Sequence, residues 1–173
     1  MPGPYRKLFR IINRSAGIKI MSFTLGVISD THGLLRPEAV RTLETCDSII
    51  HAGDIGSREV FKALKDMAPL HAVRGNVDWE PWTGNLPVND VVEIAGYFFY
   101  IIHILDNIDL DPAAAGINVV ISGHSHMPDL STKGNVLYMN PGSAGPRRFT
   151  KPVSMGKILI DDNGLHPEII NLT

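Results

Sequence analysis

Four apolar runs in this chain each end in side chains that carry oxygen or imidazole donors, and that repeated pattern restricts the fold more than any other feature. Phe23–Ser29 runs into Asp30-Thr31-His32, and Ser48–His51 into Gly53-Asp54. Leu70–Val73 leads to Gly75-Asn76-Val77-Asp78, and Val119–Ser122 to Gly123-His124-Ser125-His126. Open α/β sheets bind ligands outside the carboxyl ends of their strands. Four such ends on one edge would gather Asp, Asn and His in a mixture that suits a pair of divalent metals. The pattern points to metal-assisted hydrolysis.

The spacing sharpens the expectation. Asp30 and His32 are two residues apart, as are His124 and His126, so in extended chain each pair would face one side and grip one ion. Gly53, Gly75 and Gly123 are expected to relax the backbone where it turns sharply out of its strand. A single D-x-H or H-x-H is weak, since a helix-capping Asp or a surface His produces either. The ordered set is far more specific.

Alternating elements surround these clusters. A helix is expected near Arg36–Glu44, begun by Pro37 in its first turn. A second opens near Ser57, a plausible N-cap, with Val60, Phe61, Leu64 and Met67 as its apolar stripe. The segment Asp78–Pro87 reads as a loop that could border a cleft. Strands then dominate: Val88–Ile94 and Phe98–His103 form a hairpin at Ala95-Gly96. Val119–Ser122, Val136–Asn140, Val153–Ile160 and Pro167–Asn171 follow, the last two joined by the turn Asp161-Asp162-Asn163-Gly164. Two packed sheets with helices outside fit this order.

In order and residue type, Asp30-Thr31-His32, Gly53-Asp54, Gly75-Asn76-Val77-Asp78, His103 and Gly123-His124-Ser125-His126 resemble the calcineurin-like metallophosphoesterase superfamily. The small size and Asn140-Pro141-Gly142-Ser143 are similar to its single-domain bacterial and archaeal phosphodiesterases, a group that also includes the retromer scaffold subunit. The resemblance runs from about Phe23 to the C-terminus. It implies a four-layer α/β/β/α sandwich with two mixed sheets. It implies two divalent ions, manganese first, with iron, nickel or zinc as alternatives. Asp30, His32 and His126 would hold one, Asn76, His103 and His124 the other, and Asp54 would bridge them. A water shared between the ions would lose a proton near neutral pH and attack phosphorus.

Two departures stand out. Many superfamily members carry His where this chain has Val77, and that His can protonate the leaving group. Such assistance is worth about 10²–10⁴-fold in rate. Relatives among the small phosphodiesterases lack it too, which favours activated diesters without suggesting a dead enzyme. The family often shows His-Gly-His where this chain reads His103-Ile104-Leu105. The connector from His103 to His124 is short, with room for a brief helix near Pro112–Ala115 and a more open cleft. The remaining readings are a phosphomonoesterase of nucleotides or small metabolites, and a retromer-like binding module. The seven intact ligand positions weigh against the module.

Other polar residues have lesser parts. Asp78 is expected to orient Asn76 or its loop. Asn140 and Ser143 lie in a tight turn near the site, where they could steady the centre or meet substrate. Arg147 and Arg148 could meet a phosphate through their forked donors. His51 reads as structural or supporting, while His71 and His166 lack a partner pattern.

A length of 173 residues fits one domain. The single Cys46 cannot form an intrachain disulfide, which suits a cytoplasmic location. Residues 1–20 carry Arg6, Lys7, Arg10, Arg14 and Lys19 with no acid, against eleven basic and eighteen acidic residues in the rest. The acidic body argues against general nucleic-acid binding. No stretch approaches the ~20 apolar residues of a membrane span. The basic tail is expected to be a loosely ordered extension before a domain at 21–173, Met21 being a possible natural start. Partners reduce to a small phosphoester substrate, with a homo-oligomer possible.

Overall fold

The computed structural model describes residues 22–172, so the basic N-terminal segment lies outside the described residues. Strands β1 (Phe23–Ile28), β2 (Ser48–His51) and β3 (Leu70–Ala72) are parallel and linked by helices α1 (Pro37–Leu43) and α2 (Arg58–Met67). Ser57 caps α2 by accepting the Val60 N–H, and Pro37 occupies the first turn of α1, as expected. Strands β9 (Ser154–Asp161) and β10 (Gly164–Asn171) complete a five-stranded sheet ordered β10-β9-β1-β2-β3.

A second sheet is ordered β4-β5-β6-β8-β7, from β4 (Asn89–Ile94), β5 (Tyr97–Ile102), β6 (Val119–Ile121), β7 (Pro128–Lys133) and β8 (Val136–Pro141). Here β5, β6 and β8 are parallel, and antiparallel β4 and β7 form the edges. Side chains alternate in each strand because successive residues point to opposite faces. Leu25, Val27, Ile50, Phe99, Ile101, Val119 and Ile121 fill the space between the sheets. Ile28 and Ile49 turn outward under α1 and α2, while Tyr100, Ile102 and Val120 face the opposite exterior.

The layer outside the second sheet is thin. Instead of the brief helix expected near Pro112–Ala115 there are hydrogen-bonded turns, with Asp111 accepting the Ala113 and Ala114 N–H groups. A 3-10 turn at Leu105–Asn107 adds Leu105 to the cover, alongside Ile108 and Leu110. The loop expected over Asp78–Pro87 contains a 3-10 segment at Pro81–Asn85, whose Trp82 ring packs 5.5 Å from that of Phe61 on α2. Strand β7 was not foreseen. No helix among the described residues is long and apolar enough to cross a membrane. The parallel strands of both sheets point their carboxyl ends to one edge of the sandwich.

Candidate metal centre

All seven expected ligands meet at that edge. Beyond β1, β2 and β3 lie Asp30, His32, Asp54 and Asn76; beyond β5 and β6 lie His103, His124 and His126. Asp30, Asp54, His103 and His126 form a buried floor, whereas Asn76 and His124 are exposed. The site is closed below and open to solvent above.

Two groups of donors can be separated. His126 Nε2 lies 3.2 Å from Asp30 Oδ1 and 3.3 Å from His32 Nε2, and His32 Nε2 is 3.8 Å from the same carboxylate oxygen. Asn76 Oδ1 stands 3.0 Å from both His103 Nε2 and His124 Nδ1. Asp54 Oδ2 lies between the groups, 3.8 Å from His32 Nε2 and 3.3 Å from His103 Nε2.

The hydrogen-bond chemistry of these atoms fits a cation. His103 Nδ1 donates to the Ala52 carbonyl at 2.7 Å, so in neutral imidazole Nε2 is a bare lone pair. That lone pair faces the oxygens of Asn76 and Asp54, an arrangement of acceptors that only a proton or a metal ion can satisfy. On the other side Asp30 Oδ1 is fully buried and has no hydrogen-bond partner. A buried carboxylate oxygen left unsatisfied costs free energy unless a charge lies beside it. Asp30, His32 and His126 offer ligand atoms within 4.8 Å of one another, as do Asp30, Asp54 and His103.

Protonation follows the same logic. Burial would raise the carboxyls of Asp30 and Asp54, but neighbouring imidazoles outweigh it and hold both below the usual carboxylate range. Burial presses His103 down, yet the Asp54 carboxylate prevails and holds it above the ordinary histidine value. Burial lowers His32 despite Asp54 and Asp30. A metal entering beside His103 must therefore displace a proton under mildly acidic conditions.

The backbone is unlike the extended one expected from the two-residue spacing. Asp30, His32, Asp54, His124 and His126 all have positive φ, between 44° and 68°. Their side chains converge because the chain curls in left-handed turns, not because alternate residues share a strand face. Such conformations cost about 1–3 kcal/mol each and collect at functional sites. The glycine expectation also needs correction. Gly53 has φ +94°, but Gly75 and Gly123 are needed for space. A Cβ on Gly75 would collide with Asp54 Oδ1, and one on Gly123 with Ser29 Oγ.

Supporting residues hold these curls in place. Asp78 accepts the Gly75, Ile55 and Gly56 N–H groups and so staples the Asp54 loop to the Asn76 loop. Val77 N–H donates to Asp54 Oδ1 at 3.0 Å, fixing that carboxylate. Asn140 Nδ2 donates to the Gly123 carbonyl and to Ser125 Oγ, and Ser143 Oγ donates to the Asp30 carbonyl. Both are buried and support the loops that carry the candidate ligands. His51, three residues before Asp54, accepts the Gly53 N–H at Nδ1 and donates from Nε2 to Thr31 Oγ1, whose own proton goes to the Ile55 carbonyl. It is a locked neutral imidazole.

Of the two arginines, Arg148 reaches the centre, with Nη2 3.4 Å from His32 Nε2. Arg147 is exposed and makes no hydrogen bond or ion pair among the described residues. Sequence reasoning missed Arg36, whose Nε donates to the Gly145 carbonyl at 2.9 Å and anchors the Arg148 loop. No motif marked it.

Comparisons with known proteins bear on the family and the fold. Residues 23–163 match the calcineurin-like phosphoesterase superfamily domain. A probable metallophosphoesterase of Methanocaldococcus jannaschii is 37% identical over 132 residues, covering 69% of this chain and 67% of the relative. The solved structure of an archaeal phosphodiesterase superposes with a TM-score of 0.73 at 26% identity, over 86% of this chain and 99% of that one. Zinc-bound Vps29 from Entamoeba histolytica superposes with a TM-score of 0.67 at 18% identity, over 87% and 100%.

Proposed function

Because the chain belongs to the calcineurin-like phosphoesterase superfamily, we propose that it is a metal-dependent phosphodiesterase that holds two divalent cations. Asp30, His32 and His126 hold one, Asn76, His103 and His124 the other, and Asp54 lies between them. The observation that carries this reading is the convergence of Asp30 Oδ1, which is buried with no hydrogen-bond partner, with Asp54 Oδ2, Asn76 Oδ1 and His103 Nε2. When bound, such cations activate water and neutralise charge on a phosphoryl group.

The chain's own residues do the rest. Val77 N–H keeps Asp54 Oδ1 engaged, so Oδ2 remains directed at the centre. Asp78, Asn140 and Ser143 hold the loops so that the donors need not reorganise during the reaction. Val77 offers no proton to a departing oxygen, and its side chain is 47% exposed at the open face. The reading therefore favours diesters with good leaving groups. An archaeal phosphodiesterase of similar fold and the exposure of Asn76 and His124 at the open face support it.

The test is direct. Chelated protein is titrated with manganese, then iron, nickel and zinc, counting ions per chain, and assayed with bis(p-nitrophenyl) phosphate and p-nitrophenyl phosphate. Two ions per chain and preferential diester cleavage are expected. Faster monoester cleavage would establish a phosphomonoesterase, and metal uptake without turnover would favour a Vps29-like binding role. Across aryl diesters the rate should drop steeply as leaving-group pKa rises. Val77→His should recover up to about 10²-fold for the poorest leaving groups and little for nitrophenol. A flat dependence in the native protein would mean that another acid acts.

A further inference from the structure

We propose that residues 145–152 form a subsite for the ester group that stays on phosphorus, with Phe149 stacking on a flat aromatic ring of nucleobase type and Arg148 meeting the phosphate. The inference rests on the phosphodiesterase reading.

The loop is tied down at both ends. Ala144 N–H donates to the Ser29 carbonyl, and Arg36 Nε to the Gly145 carbonyl. Gly145 packs so closely on the Thr31 carbonyl that a side chain could not fit. At the far end Lys151 Nζ donates to the Ser125 carbonyl at 2.7 Å, and Lys151 N–H to the Arg148 carbonyl at 3.0 Å. Both anchors are the loops that carry the ligands Asp30, His32, His124 and His126. The tip is thus held in a fixed relation to the centre, and Arg148 lies against His32.

Phe149 follows at the tip. Its side chain is 93% exposed and its φ is 53°, a conformation that aromatic residues rarely adopt. Exposure forfeits packing and the backbone is strained, so neither feature serves stability. Strain of this kind persists where a site uses it. Leu34 and Met127, on the loops of His32 and His126, are also exposed, at 40% and 47%. This side of the centre therefore combines a placed guanidinium with uncovered apolar surface. A phosphodiester bearing a flat ring has the matching features: an anion that suits the forked donors of Arg, and a π-face that suits Phe. Aromatic stacking on a base typically changes affinity by about tenfold or more.

The probes are thymidine 5′-(p-nitrophenyl phosphate) and methyl p-nitrophenyl phosphate, assayed with the full manganese-loaded chain. They share a leaving group and differ only in the retained ester. The kcat/KM ratio should favour the thymidine ester by about tenfold or more, mainly through KM. Phe149→Ala should bring the ratio near one, and Phe149→Trp should restore it. A native ratio near one, or a ratio that Phe149→Ala leaves unchanged, overturns the proposal. Should neither ester turn over, the phosphodiesterase reading fails. Calorimetric binding of thymidine 5′-monophosphate then decides the subsite: binding weakened about tenfold by Phe149→Ala supports it, and undetectable or unaltered binding overturns it.

Discussion

Asp54→Asn is expected to reduce metal content below two ions per chain and to slow diester hydrolysis by at least about a thousandfold, roughly 4 kcal/mol of barrier. The substitution changes charge and almost nothing else. Asparagine keeps the shape, and its carbonyl oxygen can still accept the Val77 N–H that now binds Oδ1. The other oxygen, 3.3 Å from His103 Nε2 and 3.8 Å from His32 Nε2, is replaced by an amide nitrogen that would offer a cation no ligand. Metal analysis alongside initial rates checks both parts. Full occupancy with native turnover would remove Asp54 from the bridging role.

The second large effect concerns acid stability and arises from a residue outside the ligand set. Burial drives His51 down to about pKa 4, against the charges of Asp78 and Asp30, and its hydrogen bonds explain why. A proton on Nδ1 would point at the Gly53 N–H, and the Nε2 proton is already given to Thr31. An unfolded chain takes up this proton near pH 6.5, the folded one only near 4. Between those values the unfolded state binds more protons, so stability present above pH 6.5 is lost as pH falls through the window. The loss is about 3 kcal/mol. In metal-free protein, His51→Phe should be about 2–3 kcal/mol less stable at pH 7.5, because it orphans the Gly53 N–H and a Thr31 lone pair. The gap should shrink towards pH 4. Urea midpoints of both proteins provide the measurement, and a gap constant with pH would show that His51 does not titrate in this way.

The residues that converge at the edge were legible because each follows a strand whose apolar run is visible without any partner. Ser48–His51 is a strand in both the sequence and the structure, and the Ala95-Gly96 turn joins β4 to β5 as its residues suggested. Strand β7 escaped notice because Pro128-Asp129-Leu130-Ser131-Thr132-Lys133 has one aliphatic residue after its proline and no apolar run. Its pairing comes from β8, and proline and charge are tolerated at a sheet edge. The curled backbone at Asp30, His32, Asp54, His124 and His126 could not be read from residue type, since none is glycine. It is imposed by distant contacts such as Ser143 with the Asp30 carbonyl and Asp78 with Ile55 and Gly56. Arg148 rather than Arg147 faces the centre for a similar reason. The anchors at Gly145 and Lys151 set the loop, and adjacent arginines look alike in sequence.

The proposed ligands divide four to three between the sheets, with Asp30, His32, Asp54 and Asn76 from one and His103, His124 and His126 from the other. Apolar contact, which fills the rest of the seam, is non-directional. Coordination bonds have fixed lengths and angles. Two cations at this edge would act as a clasp across the sandwich, adding directional bonds at the end where a substrate would arrive. The far end, where the β9–β10 hairpin turns, would lie outside that clasp. The molecule would then respond to metal as a hinged pair of plates does to a latch, stiffening from the active edge inward.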